Sequence, residues 1–227
     1  MNIEFLHAPA NTVAKVSLKP GEICTAEAGA MMAMSGNTQI TTTTYKKSGR
    51  GILKGLKRML AGESFFVNHF EAKNKEAELW LGAAISGDMM QYQLDNESLI
   101  VQGSSFLACE HQVEIDLGWQ GFKSLLSGES IFWLNLKGSG KVIINAFGAI
   151  YPIEVDGEYI VDSGHIVAFN ESLNFSITKA GSSWIQSILG GEGLVCKFNG
   201  QGTVWCQSHN PSSFGNHLTP ELKPIKK

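Results

Sequence analysis

Leu125-Leu126-Ser127-Gly128-Glu129-Ser130-Ile131-Phe132 decides the reading of this chain, because near-copies of it lie on either side. Met59-Leu60-Ala61-Gly62-Glu63-Ser64-Phe65-Phe66 precedes it and Ile188-Leu189-Gly190-Gly191-Glu192-Gly193-Leu194-Val195 follows. The Gly-Glu pairs stand 66 and 63 residues apart, a period that suits one small supersecondary unit per copy. The chain therefore reads as a triplication.

Outward from these anchors, a second phrase recurs upstream. Pro20-Gly21-Glu22-Ile23 leads to Gly29, Asn96-Glu97-Ser98-Leu99-Ile100-Val101 to Gly103, and Gly157-Glu158-Tyr159-Ile160-Val161 to Gly164. Each is followed by an apolar run: Met31-Met32-Ala33-Met34, Phe106-Leu107-Ala108 and Ile166-Val167-Ala168-Phe169. Downstream, Leu136-Lys137-Gly138-Ser139-Gly140-Lys141-Val142 and Phe198-Asn199-Gly200-Gln201-Gly202-Thr203-Val204 read as strand, glycine turn, strand. The first copy has Phe70-Glu71-Ala72-Lys73-Asn74-Lys75-Glu76-Ala77-Glu78-Leu79 there instead, a diverged turn.

Short β-rich runs such as Val142–Ala146, Tyr151–Val155 and Leu173–Ile177, punctuated by Gly, Asn and Asp, predict an all-β protein of stacked or rolled sheets. Helical spacing is confined to the stretches before the Gly-Glu motifs. There Ile52, Leu53, Leu56, Met59 and Leu60, and then Trp119, Phe122, Leu125 and Leu126, predict short helices that glycine ends. With 227 residues and 43% hydrophobic content, one domain over residues 1–211 is expected, with repeats at roughly 1–85, 86–150 and 151–211. Residues 212–227, with prolines and terminal lysines, are expected to be a loosely ordered tail.

A net charge of −3, from 18 basic and 21 acidic residues, predicts neither a nucleic-acid nor an acidic partner. The start, Met1–Leu6, has no basic segment followed by an apolar stretch, and no run approaches the roughly 18 apolar residues of a membrane span, so a soluble, cytoplasmic protein is expected. Four cysteines are too few for a disulfide framework in a chain of this length. Cys196 and Cys206 are placed on either side of the last glycine turn as two buried thiols, and Cys24 and Cys109 as small core hydrophobes.

Gly62-Glu63-Ser64-Phe65-Phe66, Phe106-Leu107-Ala108, Gly128-Glu129-Ser130-Ile131-Phe132, Val161-Asp162-Ser163-Gly164-His165-Ile166-Val167-Ala168-Phe169 and Gly191-Glu192-Gly193-Leu194-Val195 together resemble the altered inheritance of mitochondria protein 24 family, which includes many uncharacterised bacterial proteins. The resemblance implies a fold like that of the tryptophan RNA-binding attenuation protein, with three β-sandwich or double-stranded β-helix-like repeats in a pseudo-threefold arrangement. It brings no catalytic residues. The mitochondrial member's association with inner-membrane organisation is not carried over, because this N-terminus does not resemble an Arg-rich transit peptide. Where the family tends to have Gln-Thr-Arg-Asn-Pro, this chain has Gln207-Ser208-His209-Asn210-Pro211.

Groups that carry chemistry are few. Pseudo-threefold packing would bring Glu63, Glu129 and Glu192 toward one axis, where mutual repulsion raises their pKa values or a cation is recruited; the competing reading, which a motif repeated in every copy favours, is that each serves its own turn. The histidines at 7, 69, 111, 165, 209 and 217 contain no His-x-His or His-x-x-x-His pair, which argues against a cupin-type metal enzyme. Cys206, His209 and His217 form an irregular zinc pattern at best, and His165 reads as a hydrogen-bonded structural histidine. The chain has no Gly-x-Ser-x-Gly elbow, Walker loop or dinucleotide fingerprint. No cofactor is predicted.

The one concentrated charge is Lys46, Lys47, Arg50, Lys54, Lys57 and Arg58, a basic contact patch without an acid, interleaved with Ile52, Leu53 and Leu56. Its readings are a core-covering segment with solvated lysines, contact with an anionic membrane or acidic partner, and, last, nucleic acid. The expectation is a non-enzymatic scaffold or binding module that acts through protein partners or an anionic membrane surface, with homo-oligomerisation through exposed β-edges or residues such as Trp80 and Trp133. The alternative is an enzyme-like domain binding a small molecule or metal between repeats.

Overall fold

The computed structural model describes residues 1–46, 64–117, 132–179 and 194–222, and it is β-rich throughout. The first copy supplies β1 (Asn2–Leu6), β2 (Val13–Leu18), β3 (Ile23–Glu27), β4 (Met31–Met34), β5 (Thr38–Lys46), β6 (Ser64–Ala72) and β7 (Ala77–Gly82). The second supplies β8 (Met89–Gln102), β9 (Phe106–Glu110), β10 (Glu114–Asp116) and β11 (Trp133–Asn145). The third supplies β12 (Ile150–Asp162), β13 (Ile166–Asn170), β14 (Asn174–Lys179) and β15 (Leu194–Gln207), followed by α1 (Pro211–Leu218). The expected tail thus begins with a helix, whose first turn is capped by the Asn210 carboxamide accepting from the Ser212 and Ser213 amides. The helices expected before the Gly-Glu motifs lie outside the described residues.

Two open sheets result. One runs β1-β2-β7-β4; the other runs β12-β15-β13-β8-β11-β9-β3-β6-β5, with β10 also on β11 and β14 also on β15. Alternation of buried and less buried residues along β2 and β7 is the period-2 signature of strands with one face on a core.

The glycine phrases are not hairpin turns. Gly138 and Gly140 lie inside β11, and Gly200 and Gly202 inside β15; Gly138, Gly140 and Gly200 have positive φ, and the β8–β11 register shifts between Gly138 and Ser139. A left-handed glycine inside a strand re-aims the backbone locally; at Gly138 this is a bulge, whereas β15 keeps unbroken register with β12, where Gly157 faces Gly200, and the residues on both sides of each glycine phrase stay in one core, Leu136 with Val142 and Phe198 with Val204. It follows that Cys196 and Cys206 do not flank a hairpin: they lie on the same strand, both buried and both free thiols.

One pairing scheme recurs in each copy. Opposite β11, Phe106, Ala108 and Cys109 meet Ile144, Ile143 and Val142, and Leu107 is skipped. Opposite β15, Ile166, Ala168 and Phe169 meet Cys206, Trp205 and Val204, and Val167 is skipped. Opposite β7, Met31, Ala33 and Met34 meet Leu81, Trp80 and Leu79, and Met32 is skipped. The short strands keep register as well, with Ile40 opposite Phe70, Ile115 opposite Leu136 and Phe175 opposite Phe198.

Adjacent copies share their cores. The cluster around Val16, Phe70, Leu79 and Leu81 takes in Leu107 and Ile143 from the second copy. The cluster around Phe169, Phe198 and Val204 takes in Ile100 and Trp133, also from the second copy. A single unit of this size cannot bury its own apolar face, and each large side chain fully buried against a neighbour contributes about 1.5–3 kcal/mol.

Candidate functional site

The residues singled out by sequence fall into two groups. Lys47, Arg50, Lys54, Lys57 and Arg58 of the basic patch, and the motif carboxylates Glu63, Glu129 and Glu192, lie outside the described residues; Lys46 is placed as the last residue of β5. The histidines are all described, and they are spread through the fold. His69 bridges strands, with Nδ1 2.8 Å from Thr25 Oγ1 and Nε2 2.9 Å from Thr43 Oγ1, and its ring meets His111 edge-on at 5.3 Å. Burial lowers its pKa, and the neighbouring His111 adds to the effect. The irregular zinc pattern does not assemble: the Cys206 thiol is buried in the third core, His209 bonds Ser208 and packs against Phe147, and His217 sits on α1. Among the described residues, no group of three or more His, Cys, Asp or Glu side chains is placed to hold a metal ion.

The phrase Val161-Asp162-Ser163-Gly164-His165 forms a lock on the end of β15. Asp162 Oδ1 accepts from the Gly164 amide at 2.7 Å, His165 Nδ1 lies 2.7 Å from the Gln207 carbonyl, and Gln207 Nε2 donates to the Gly164 carbonyl at 2.9 Å. Gln207 Oε1 in turn accepts from the Phe147 amide at 2.8 Å. Gly164 is glycine because a Cβ there would stand 2.1 Å from Asn210 Nδ2, and Asn210 is held in place by capping α1. The second copy repeats one of these contacts: Asn145 Nδ2 donates to the Ser104 carbonyl at 3.3 Å. His165 is therefore a structural histidine, as its place in the phrase suggests.

Titratable groups are governed by burial. It pushes the thiols of Cys24, Cys196 and Cys206 up to about 12 and that of Cys109 well above its ordinary value, which makes all four poor nucleophiles. The half-buried Glu27, at the end of β3, is raised to about 7 by loss of solvent.

The feature that periodicity did not isolate is a pair of strand edges. β4 ends one sheet and β12 ends the other. β4 exposes Met31, Met32 and Met34, and β12 exposes Tyr151, Tyr159 and Ile160. The other two sheet ends are β1 and β5; β5 is Thr38-Gln39-Ile40-Thr41-Thr42-Thr43-Thr44-Tyr45-Lys46, mostly threonine, with Ile40 exposed. Of the tryptophans offered for assembly, Trp133 is buried against Phe169, a core residue and not an interface one. Trp80 is half-buried under Lys15, whose Nζ lies 5.5 Å from the ring centroid. The signal for the edges was in the sequence all along: Met31-Met32-Ala33-Met34 stands where the other copies have core strands.

Residues 3–209 match the family described as mitochondrial biogenesis AIM24. The chain belongs to the AIM24 family. Among its relatives is an uncharacterised protein of Streptococcus pyogenes serotype M6, 28% identical over 210 residues that make up 90% of this chain and 84% of the relative. A crystal structure of another Streptococcus pyogenes protein, solved as a structural-genomics target, superposes with a TM-score of 0.78 at 26% identity, over 97% of this chain and 99% of that one. No helix among the described residues of this AIM24-family chain is long and apolar enough to cross a membrane.

Proposed function

We propose that this AIM24-family chain is a non-enzymatic scaffold or binding module, cytoplasmic, whose three copies take a pseudo-threefold, attenuation-protein-like arrangement and whose working surfaces are strand edges that engage protein. The observation that carries this reading is the concentration of large apolar side chains on β4 and β12, at the open ends of the two sheets. Unpaired strands bearing apolar side chains are templates for another chain, and proteins that must avoid such contacts blunt them with charge, proline or a covering loop. By contrast, the conspicuous hydrogen-bonded histidine and carboxylate cluster, around His165 and Asp162, has its polar atoms engaged in holding turns and strand ends together.

Native mass spectrometry of the protein purified from its host tests the proposal. Protein free of small ligands, alone or with other polypeptide, is the expected result; a stoichiometric metal or small molecule would overturn it in favour of an enzyme-like pocket between repeats. The basic run from Lys46 to Arg58 supports an anionic surface as a second contact. Reversing charge at Lys54, Lys57 and Arg58 should then weaken sedimentation with phosphatidylserine vesicles, and unchanged sedimentation would remove the membrane from the proposal.

A further inference from the structure

Two junctions between copies are filled in this structure, and both use one register. β9 adds to β3 with Ala108 opposite Ala26, Cys109 opposite Thr25 and Glu110 opposite Cys24. β13 adds to β8 with Ala168 opposite Val101, Phe169 opposite Ile100 and Asn170 opposite Leu99. In each case the middle strand of one copy pairs with the residues that lead into the turn before the middle strand of the preceding copy, β3 in the first copy and the end of β8 in the second. The scheme has a third instance whose halves, β4 and β12, end different sheets and do not pair with each other. β4 is the middle strand of the first copy and β12 the first strand of the third, and each ends its sheet.

Burial shows that these two halves are the unfilled form of the same contact. Positions 106, 107 and 109, and likewise 166, 167 and 169, are buried, whereas the corresponding Met31, Met32 and Met34 are 38%, 59% and 37% exposed. On the receiving side, Leu99 and Ile100 are fully buried. Gln102 and Asp162 each immediately precede a 3₁₀ turn, so Tyr159 and Ile160 stand where Leu99 and Ile100 do, and they are 44% and 55% exposed. Among the described residues, the positions that would pair on these two edges carry neither proline nor charge. β4 is Met31-Met32-Ala33-Met34, and the receiving stretch is Tyr159-Ile160-Val161, flanked by Glu158 and Asp162; Pro152, Glu154 and Asp156 lie nearer the other end of β12.

We infer that a second copy of this chain fills both edges: β4 of one copy adds antiparallel to β12 of the next, with Ala33 opposite Val161, Met34 opposite Ile160 and Ser35 opposite Tyr159. This rests on the reading of these edges as interaction surfaces, and it names their occupant. Main-chain hydrogen bonds supply the pairing, and the methionines, unbranched and adaptable, pack over Tyr159 and Ile160 as core residues pack over Leu99 and Ile100. The contact is heterologous, so it joins copies head to tail and either closes into a ring or runs on as a filament.

The test combines light scattering after gel filtration with cross-strand cysteines on the full chain. Wild-type protein at micromolar concentration is expected to run as an assembly of several copies. Ile160→Lys, at an exposed position outside every core, is expected to shift it to monomer with unchanged circular dichroism. Met34→Cys combined with Ile160→Cys is expected to give, on oxidation, a ladder of covalent multimers on a denaturing gel, because the native thiols are buried. A wild-type monomer, or multimers that persist in the Ile160→Lys protein, overturns the inference. So does a double-cysteine protein that cross-links only within one chain, since the ends then close on themselves. A ligand-free monomer leaves the scaffold reading intact with another protein on these edges, whereas a stoichiometric small molecule counts against the scaffold reading.

Discussion

Leu107 and Met32 occupy the same skipped position of equivalent strands, so truncating each to alanine separates the contribution of the position from that of its surroundings. Leu107 is fully buried in the core shared by the first and second copies. Leu107→Ala removes three carbons and leaves a cavity, a loss of about 3–5 kcal/mol where the surroundings do not collapse. Met32 is 59% exposed, and a Cβ at Gly82 would meet its sulfur, so the side chain lies flat over that glycine. With more than half of its surface already in water, Met32→Ala forfeits under about 1 kcal/mol of transfer free energy in an isolated chain. Urea unfolding followed by tryptophan fluorescence reads both. At low protein concentration the two losses should differ at least threefold. As concentration rises, the wild type should gain stability through association while the Met32 variant gains less, because only the folded chain offers the edge. Equal losses in the dilute chain would refute the equivalence-plus-exposure argument, since the same position would then be worth the same whether or not a neighbour covers it.

Three further outcomes follow from single sites. Native protein should react negligibly with Ellman's reagent at pH 8, and all four thiols should react in guanidinium; one fast native thiol would contradict the raised values of Cys24, Cys109, Cys196 and Cys206. Glu27 has a folded pKa of about 7 against 4.5 for the free group, so its protonated form favours folding: that contribution is complete below pH 4.5 and is lost as pH rises through 7. Glu27→Gln should therefore raise the melting temperature at pH 8 and leave it nearly unchanged at pH 4, and the opposite pH trend would show that the carboxylate has a partner. Gly164→Ala should cost about 1–2 kcal/mol, because the new methyl displaces the Asn210 carboxamide from the helix it caps. If the variant melts like wild type, the lock around His165 is looser than its distances imply.

The recurring phrases were legible because they are local: three Gly-Glu phrases and three apolar runs can be aligned without knowing what pairs with what. Strand type was legible for the same reason, from alternation in β2 and from β-branched runs such as Val142-Ile143-Ile144. The status of Gly138, Gly140, Gly200 and Gly202 was not. A two-residue hairpin and a bulge inside one long strand both ask for a left-handed glycine between apolar runs. They differ only in whether the flanking runs pair with each other or with another strand. Here they pair with β8 and β12, dozens of residues away, and the sequence around the glycines carries no trace of that choice.

The same limit explains why the edges escaped notice while their neighbours did not. Met31-Met32-Ala33-Met34 is as apolar as Phe106-Leu107-Ala108-Cys109, so its composition predicts a core strand, and in two of three copies that prediction is met. What changes is the supply of partners. In an open series of copies each junction consumes one strand from either side, and the first and last units are left with one half each. Solenoid proteins commonly end in units with polar outer faces that remove the problem. This chain does not: its first middle strand has three methionines and its last first-strand has Tyr159 and Ile160. Retaining core chemistry at both open ends is costly in solubility for an isolated molecule and costs nothing once the ends meet. A substitution that places lysine at Met32 and at Ile160 should accordingly raise the solubility of the chain while abolishing its assembly; if assembly survives such a protein, the contact between copies lies elsewhere.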